Sequence, residues 1–440
     1  MPASLSPQLI TLMVLAAVVL AMIWDKLRSD VVALAGAAVL LMTGVVRPIQ
    51  VQSAFASPAV ITLASLFVIA YAMELSGLLD ASIRRLVALC RRIGRIGLWI
   101  VIALAGSASA FLNNTPVVVL SAPVLQEAAK SLGLSPKRFL MPLSYAAVLG
   151  GCCTLIGTST NLLVNDMAGV AGQPKFGMFE ITPVGVAVAI AGGLYLLLFS
   201  GRLIDGGAPQ PADSSLPNAE GIDPGLAGGQ VGSAKAFTAD RAFQPWRALA
   251  SLSIFIAVIA MAALNVAPIA ACAFAGAVVL ILMRVITADE AYSGLRADVL
   301  MLIAGMLVLG IALRVSGVAG SATHALIGSL DGLNPMLALI VVYGATLFAT
   351  ELLSNATVAV LFTPVAVSLG EALHVSPRPF LVAVMIAGSA AFATPFGYQT
   401  NALVYQMGRY NYLDFVKVGL PLNLITWVAA IIAIQVYFPF

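Results

Sequence analysis

Runs of about 20 apolar residues recur along the whole chain, and a backbone in lipid can satisfy its own polar groups only as a helix or a closed barrel. Runs of this length select helices. Hydrophobic residues make up 61% of the 440 residues and only 9% are charged, with a mean hydropathy of +1.02. A soluble domain carries about 25% charged residues, so a soluble enzyme or binding module is excluded. The net charge of +3 does not point to nucleic acid, because the basic residues fall in loops between apolar runs. The stretch MPASLSPQLITLMVLAAVVLAMIW has no basic residue before its apolar run and no small-residue cleavage site, and is expected to be a retained first helix. Cys90, Cys152, Cys153 and Cys272 have no zinc spacing and read as small packing residues.

Ten spans are expected near 8–24, 31–47, 57–75, 139–169, 180–200, 247–265, 268–286, 298–314, 379–408 and 416–437. The apolar stretches 97–128 and 334–370 are too long for one span and carry polar residues at their middles. They predict helical hairpins that enter and leave on one side. With the N-terminus outside, 18 of the 22 Lys and Arg fall on inner loops or helix ends. Only Arg47, Lys175, Arg314 and Arg378 fall outside, so both termini are expected outside. Trp24, Trp99 and Trp246 sit near the predicted inner interface. Residues 80–95, DASIRRLVALCRRIGR, set five arginines among Ile, Leu and Val and predict an interfacial amphipathic helix. Residues 203–245 are rich in Gly, Pro, Ala and Ser and predict a flexible cytoplasmic linker. That linker divides the chain into an N-terminal half, 1–202, and a C-terminal half, 246–440.

The two halves match around their polar interruptions. At an offset of 241, Asn114, Pro123, Ser135, Pro136, Phe139 and Leu140 pair with Asn355, Pro364, Ser376, Pro377, Phe380 and Leu381. At 240, Gly157, Thr160, Asn161, Leu163, Val164 and Met167 pair with Gly397, Thr400, Asn401, Leu403, Val404 and Met407. Each half has five spans plus a hairpin, and an odd number of spans turns the second copy upside down. The expected fold is an all-α polytopic membrane protein of two inverted repeats, the usual plan of alternating-access transporters.

The chemistry concentrates at four breaks. Hairpin 1 carries Ser109, Asn113, Asn114 and Thr115, and hairpin 2 carries Thr350, Glu351, Ser354, Asn355 and Thr357. Unpaired backbone groups at membrane depth cost several kcal/mol each, so a turn there lines a cavity or binds something. The N-terminus of the returning arm favours an anion, while carbonyl, amide and hydroxyl oxygens suit a hard cation such as sodium. The helices 139–169 and 379–408 break at Gly157-Thr158-Ser159-Thr160-Asn161 and Gly397-Tyr398-Gln399-Thr400-Asn401, where Pro395 and the glycines favour unwinding. Two pseudo-symmetric cation sites flanking one anion are expected. A lone Asn-Thr or Gly-x-x-Thr-Asn in a membrane helix reads first as helix–helix glue, but four breaks matched across a repeat favour a site.

No Lys or Arg lies in the breaks, so an anion would be held by hydroxyls, amides, helix dipoles and bound cations. That ties anion affinity to sodium occupancy. Glu351 reads equally as a proton or cation ligand and as a residue facing an outer vestibule, and Asp166 as a solvated helix end. His324 and His374 read as surface residues. Tyr398 and Gln399 replace Thr158 and Ser159 across the repeat, an asymmetry where substrate choice could lie. No His–carboxylate cluster and no Ser–His pair lies in the breaks, so no enzyme is expected.

These motifs resemble the divalent anion/sodium symporter family of the citrate-transporter-like ion transporter superfamily, over nearly the whole chain. The resemblance implies elevator-type movement, a homodimer in the lipid bilayer of a bacterial inner membrane, sodium ions as coupling ions, no organic cofactor and no nucleic-acid partner. It implies one sodium site at Ser109, Asn113, Asn114 and Gly157, and a second at Thr350, Ser354, Asn355 and Gly397. The substrate, a small divalent anion, is expected at Asn114, Thr115, Asn355 and Thr357, beside Thr160, Asn161, Thr400 and Asn401 of the breaks. The first motif has Asn113 where the family has Ser, and the second has Ala356 with its Thr displaced to Thr357. Phe396-Gly397-Tyr398-Gln399-Thr400-Asn401 resembles the branch associated with sulfate and related oxyanions. The leading expectation is sodium-coupled symport of such an anion; the alternative is a sodium/proton antiporter of the same superfamily, with Glu351 or Asp166 titrating.

Overall fold

The computed structural model describes residues 6–24, 26–78, 81, 93–204, 243–264, 266–318, 320–321 and 334–440. The expected amphipathic helix at 80–95, most of the linker, Cys90 and His324 lie largely or wholly outside them. Every regular element among the described residues is a helix. In the first half these are α1 (Pro7–Trp24), α2 (Ser29–Met42), α3 (Pro48–Phe55), α4 (Pro58–Leu75), α5 (Arg95–Ser109), α6 (Asn114–Ser131), α7 (Lys137–Gly151), α8 (Ser159–Val170) and α9 (Thr182–Tyr195). The second half holds α10 (Pro245–Ala263), α11 (Ile269–Leu282), α12 (Ala288–Gly294), α13 (Ala297–Val315), α14 (Pro335–Thr350), α15 (Asn355–Ala372), α16 (Arg378–Ala387), α17 (Gln399–Gly408) and α18 (Tyr412–Tyr437). Helix for helix the halves correspond, and the chain is an all-α membrane protein of two inverted repeats.

Several boundaries follow from local chemistry. Proline opens α3, α4, α10 and α14, where its missing N–H costs nothing. Ser57 caps α4 through Val60 N, and Asn334 caps α14 through Leu337 N. The backbone repeats even where the side chains do not. Left-handed residues at Gly44 and Gly133 recur at Arg284 and His374, offsets of 240 and 241. The short helices α3 and α12 each lie just before a long helix.

The strongest packing is between repeats or between a hairpin and the broken helix that follows it. Helix α2 packs on α13 and α4 on α11, forming one body from α1–α4 and α10–α13. Helix α5 packs on α7 and α9 on α18, forming a second body from α5–α9 and α14–α18. Contacts between the bodies run chiefly through α15 and α8 against α13 and α4. Glycines permit the tight crossings. A Cβ at Gly36 would lie 2.6 Å from Val18, and one at Gly276 would lie 2.5 Å from Val258, the same pair 240 residues on.

The second body is clasped across the repeats at both ends. Lys137, at the start of α7, sits 2.7 Å from Asp414 and 5.2 Å from the centre of the Tyr410 ring. Arg378, at the start of α16, pairs with Glu180 and lies 4.2 Å from the centre of the Phe176 ring. Each clasp joins the start of one broken helix to the segment that follows the other. Among the expected interfacial tryptophans, Trp246 is exposed while Trp99 packs edge-on against Phe139.

Candidate functional site

Hairpin 1 is α5 and α6 with a turn at Ala110–Asn113, and hairpin 2 is α14 and α15 with a turn at Glu351–Ser354. Asn113 caps α6 by accepting from Thr115 N at 3.2 Å, and Ser354 caps α15 by accepting from Thr357 N at 3.3 Å. The caps use donors that the sequence reading had left for an anion. Pro116 has no N–H, so the first turn of α6 keeps only that of Asn114.

Within each hairpin the Asn is held the same way. Ser109 Oγ donates to Asn114 Oδ1 at 2.5 Å, and Thr350 Oγ1 donates to Asn355 Oδ1 at 2.9 Å. Each first arm also meets its own break. Thr154 Oγ1 donates to Ala110 O, and Thr394 Oγ1 to Glu351 O at 3.3 Å. Gly157 N and Gly397 N each donate to that threonine's Oγ1 at 3.1 Å. Two equivalent hydroxyl-and-carbonyl knots result.

The glycine of each knot opens a cradle. A Cβ at Gly157 would lie 2.5 Å from Gly151 O and 2.9 Å from Ala110 O. One at Gly151 would lie 2.7 Å from Asn114 Oδ1 and 3.2 Å from Gly157 O. Carbonyl and amide oxygens, the donor type a hard cation takes, line the space beside these glycines. Among the described residues no cluster of three or more His, Cys, Asp or Glu could hold a metal.

Hairpin 1 also reaches the other repeat. Asn114 Nδ2 donates to Tyr398 OH at 2.7 Å, and Thr115 Oγ1 to Gln399 Oε1 at 3.2 Å. Asn114 and Thr115 thus join hairpin 1 to Tyr398 and Gln399 at the start of α17, two positions where the repeats differ. Thr357 is buried, bonded to Ser354 Oγ at 2.7 Å and to Met22 Sδ at 3.2 Å.

Thr160, Asn161, Thr400 and Asn401, expected beside the substrate, are turned into the protein. Asn161 Nδ2 donates to Thr154 O at 3.0 Å, and Asn401 Nδ2 to Ala391 O at 2.7 Å and Thr394 O at 3.3 Å. They hold the unwound segments in shape, so their geometry makes them positioning residues. Ser144, which sequence reasoning missed, donates to Asn401 Oδ1 at 2.7 Å and lies 2.8 Å from Thr400 Oγ1. Asn161 Oδ1, in the other repeat, is buried without a hydrogen-bond partner. A lone serine inside an apolar helix carried no signal for this role.

Both candidate carboxylates have other partners. Asp166, expected at a solvated helix end, is 4% exposed; its Oδ2 accepts from Ala59 N of α4 at 2.8 Å and its Oδ1 faces Lys175 Nζ at 2.9 Å. A side chain of one body therefore caps a helix of the other, filling the helix N-terminus that a solvated reading left empty. Glu351, read as a ligand or as a vestibule residue, is not a free carboxylate. It accepts from the backbone N–H of Phe392, Ala393 and Thr394 and from Asn423 Nδ2, at 2.7–2.9 Å. Thr394 Oγ1, whose one proton lies between the carboxylate and the Glu351 carbonyl, is 2.9 Å from Oε2. His374 is exposed.

A 24% identical uncharacterized transporter of Synechocystis sp. aligns over 96% of this chain and 95% of its own length. A segment covering 24% of this chain is 45% identical to 13% of a probable sodium/sulfate cotransporter 3 of Chlamydomonas reinhardtii. The solved structure of MtrF from Neisseria gonorrhoeae, whose study describes a class of antimetabolite efflux pumps, superposes with a TM-score of 0.62 at 13% identity over 98% of this chain and 95% of that one. The likeness to MtrF is one of fold. The family described as "Citrate transporter" matches residues 19–374 and 352–440, spanning both hairpins and both breaks. This membrane transporter, which is not an enzyme, belongs to the citrate transporter family.

Proposed function

We propose that the protein is a sodium-coupled symporter of a small divalent oxyanion, with sulfate ahead of C4-dicarboxylate or citrate. The observation that carries this reading is the pair of hydroxyl-and-carbonyl knots at Gly157 and Gly397, each beside a hairpin whose Asn is held by a hydroxyl of the first arm, with Asn114 bridging to Tyr398. Sodium would occupy the cradles. The anion would lie between the hairpin tips, against Asn114, Thr115 and Asn355, with Tyr398 and Gln399 setting its size. The local likeness to a sodium/sulfate cotransporter supports sulfate.

The two-body packing supports movement of α5–α9 and α14–α18 against the other body, carrying the site across the bilayer in the manner of an elevator. A homodimer held through the static body and an N-terminus outside, set by the Lys and Arg distribution, complete the proposal.

The test is uptake by proteoliposomes of labelled sulfate, thiosulfate, succinate, citrate and molybdate under an inward sodium gradient, with potassium as control. Sodium-dependent uptake of sulfate is expected. No uptake of any anion, together with pH-driven sodium exchange, would replace symport with antiport.

A further inference from the structure

We infer that Glu351 is a built-in counter-charge that makes the two cation sites unequal, so that the second binds sodium before the anion arrives and the first only with it. The inference rests on the sodium reading above. The offset of 241 places Glu351 on Ala110, and both residues end the first arm of their hairpin. Their carbonyl oxygens do the same work, each accepting from the threonine of the adjoining break. Only the second copy carries a carboxylate.

The break around it is correspondingly wider. Helix α7 runs to Gly151, whereas α16 stops at Ala387. Unwinding frees the N–H groups of Phe392 and Ala393, whose counterparts Cys152 and Cys153 donate to Val148 O and Gly150 O. Consecutive free N–H groups form an anion nest, and here Phe392, Ala393 and Thr394 close on the protein's own carboxylate at 2.9, 2.8 and 2.9 Å. Asn423 of α18 completes the nest at 2.7 Å.

This carboxylate borders the second cradle. A Cβ at Gly397 would lie 2.7 Å from Ala391 Cβ, 2.9 Å from Thr394 Oγ1 and 3.3 Å from Glu351 Oε2. The equivalent point at Gly157 meets carbonyl oxygens of Gly151 and Ala110. One cradle therefore has a formal negative charge beside it, while the other has dipoles. A cation in the second site is neutralised by the protein; a cation in the first gains that neutralisation only from the transported anion. The same carboxylate occupies the donors at 392–394 and repels an anion, so the substrate is displaced towards hairpin 1, where Thr115 and Tyr398 stand.

The experiment is sodium titration of the purified full-length transporter, followed by thermal stabilisation, with no divalent anion and then with sulfate or succinate; potassium is the control. Wild type is expected to be stabilised by sodium alone. Glu351→Gln is expected to raise the sodium midpoint in the absence of anion by about tenfold or more, while Asn423→Ala, which keeps the charge and removes one hydrogen bond, stays within about twofold. A wild-type midpoint in folded E351Q, or an equal loss in N423A, overturns the inference and leaves the symport reading standing. Absence of any sodium-specific stabilisation in wild type refutes the sodium reading itself. Should E351Q not fold, Glu351→Asp keeps the charge on a shorter arm: a retained midpoint supports the counter-charge, and a tenfold loss overturns it.

Discussion

Replacing Gly157 with Ala tests the first cradle directly. The new methyl would lie 2.5 Å from Gly151 O, 2.9 Å from Ala110 O and 2.9 Å from Gly151 Cα. All three are backbone atoms, so no side chain can swing away. The nearest carbonyl would have to retreat by about 0.5 Å to reach even a tight contact. One of these carbonyls is also committed: Ala110 O accepts from Thr154 Oγ1, which in turn accepts from Gly157 N. Gly157 is not among the positive-φ glycines, so backbone strain adds nothing. Overpacking of this kind costs about 1–3 kcal/mol, which predicts a thermal midpoint lower by a few degrees and a chain that still folds. Sodium coordination suffers more, because the methyl occupies the point on which the oxygens converge. A half-saturating sodium concentration raised by about tenfold or more corresponds to about 1.4 kcal/mol. The assay is sodium-driven uptake in proteoliposomes across a range of sodium concentrations, beside a melting curve. Gly193→Ala is the control, since nothing lies within 4 Å of a Cβ there. Wild-type sodium dependence in the Gly157 variant would refute the cradle as a cation site.

Other outcomes follow from the same geometry. Tyr398→Phe removes the acceptor of Asn114 Nδ2 and is expected to change the relative uptake of sulfate and succinate at an unchanged sodium midpoint; an unchanged ratio would remove Tyr398 from substrate choice. Ser144→Ala strands Asn401 Oδ1, which predicts a loss of about 1–3 kcal/mol read as a lower melting temperature, with no loss arguing that water replaces the hydroxyl. Gly150→Ala would set a methyl 1.8 Å from Gly106 O between α5 and α7, and is expected to abolish expression of folded protein; normal yield would contradict that packing. Asp166→Asn removes the Lys175 ion pair and weakens the acceptor for Ala59 N, the join between the bodies. It is expected to alter transport rate more than sodium affinity, which initial-rate uptake would establish.

Much of this was legible beforehand because it is locally encoded. Apolar length marks membrane helices, a polar residue in lipid demands a reason, and matching Asn114 with Asn355 or Gly157 with Gly397 needs only the alignment of the chain with itself. The second break, from Gly388 to Tyr398, is wider than its Gly-x-x-Thr-Asn signature. Nothing local announced that Asn161 and Asn401 would spend their amides on break carbonyls. The same was true of Asp166, which reads as a solvated end until α4 supplies Ala59 N from 107 residues away.

By itself, then, the sequence determined the class, the repeat and the four places where helices fail, because those depend on burial length and on the cost of unpaired backbone in lipid. Only the tertiary structure decided what each polar group at those places does. Ser144 meets Asn401 and Asn114 meets Tyr398 across 257 and 284 residues, and the two clasps cross in the same way. Hydrogen-bond partners are set by which elements pack together, and here the partners come from opposite repeats. Glu351 carries the lesson furthest: one side chain without a counterpart, read as a ligand or a solvated acid, fills an anion nest that exists only once α16 unwinds.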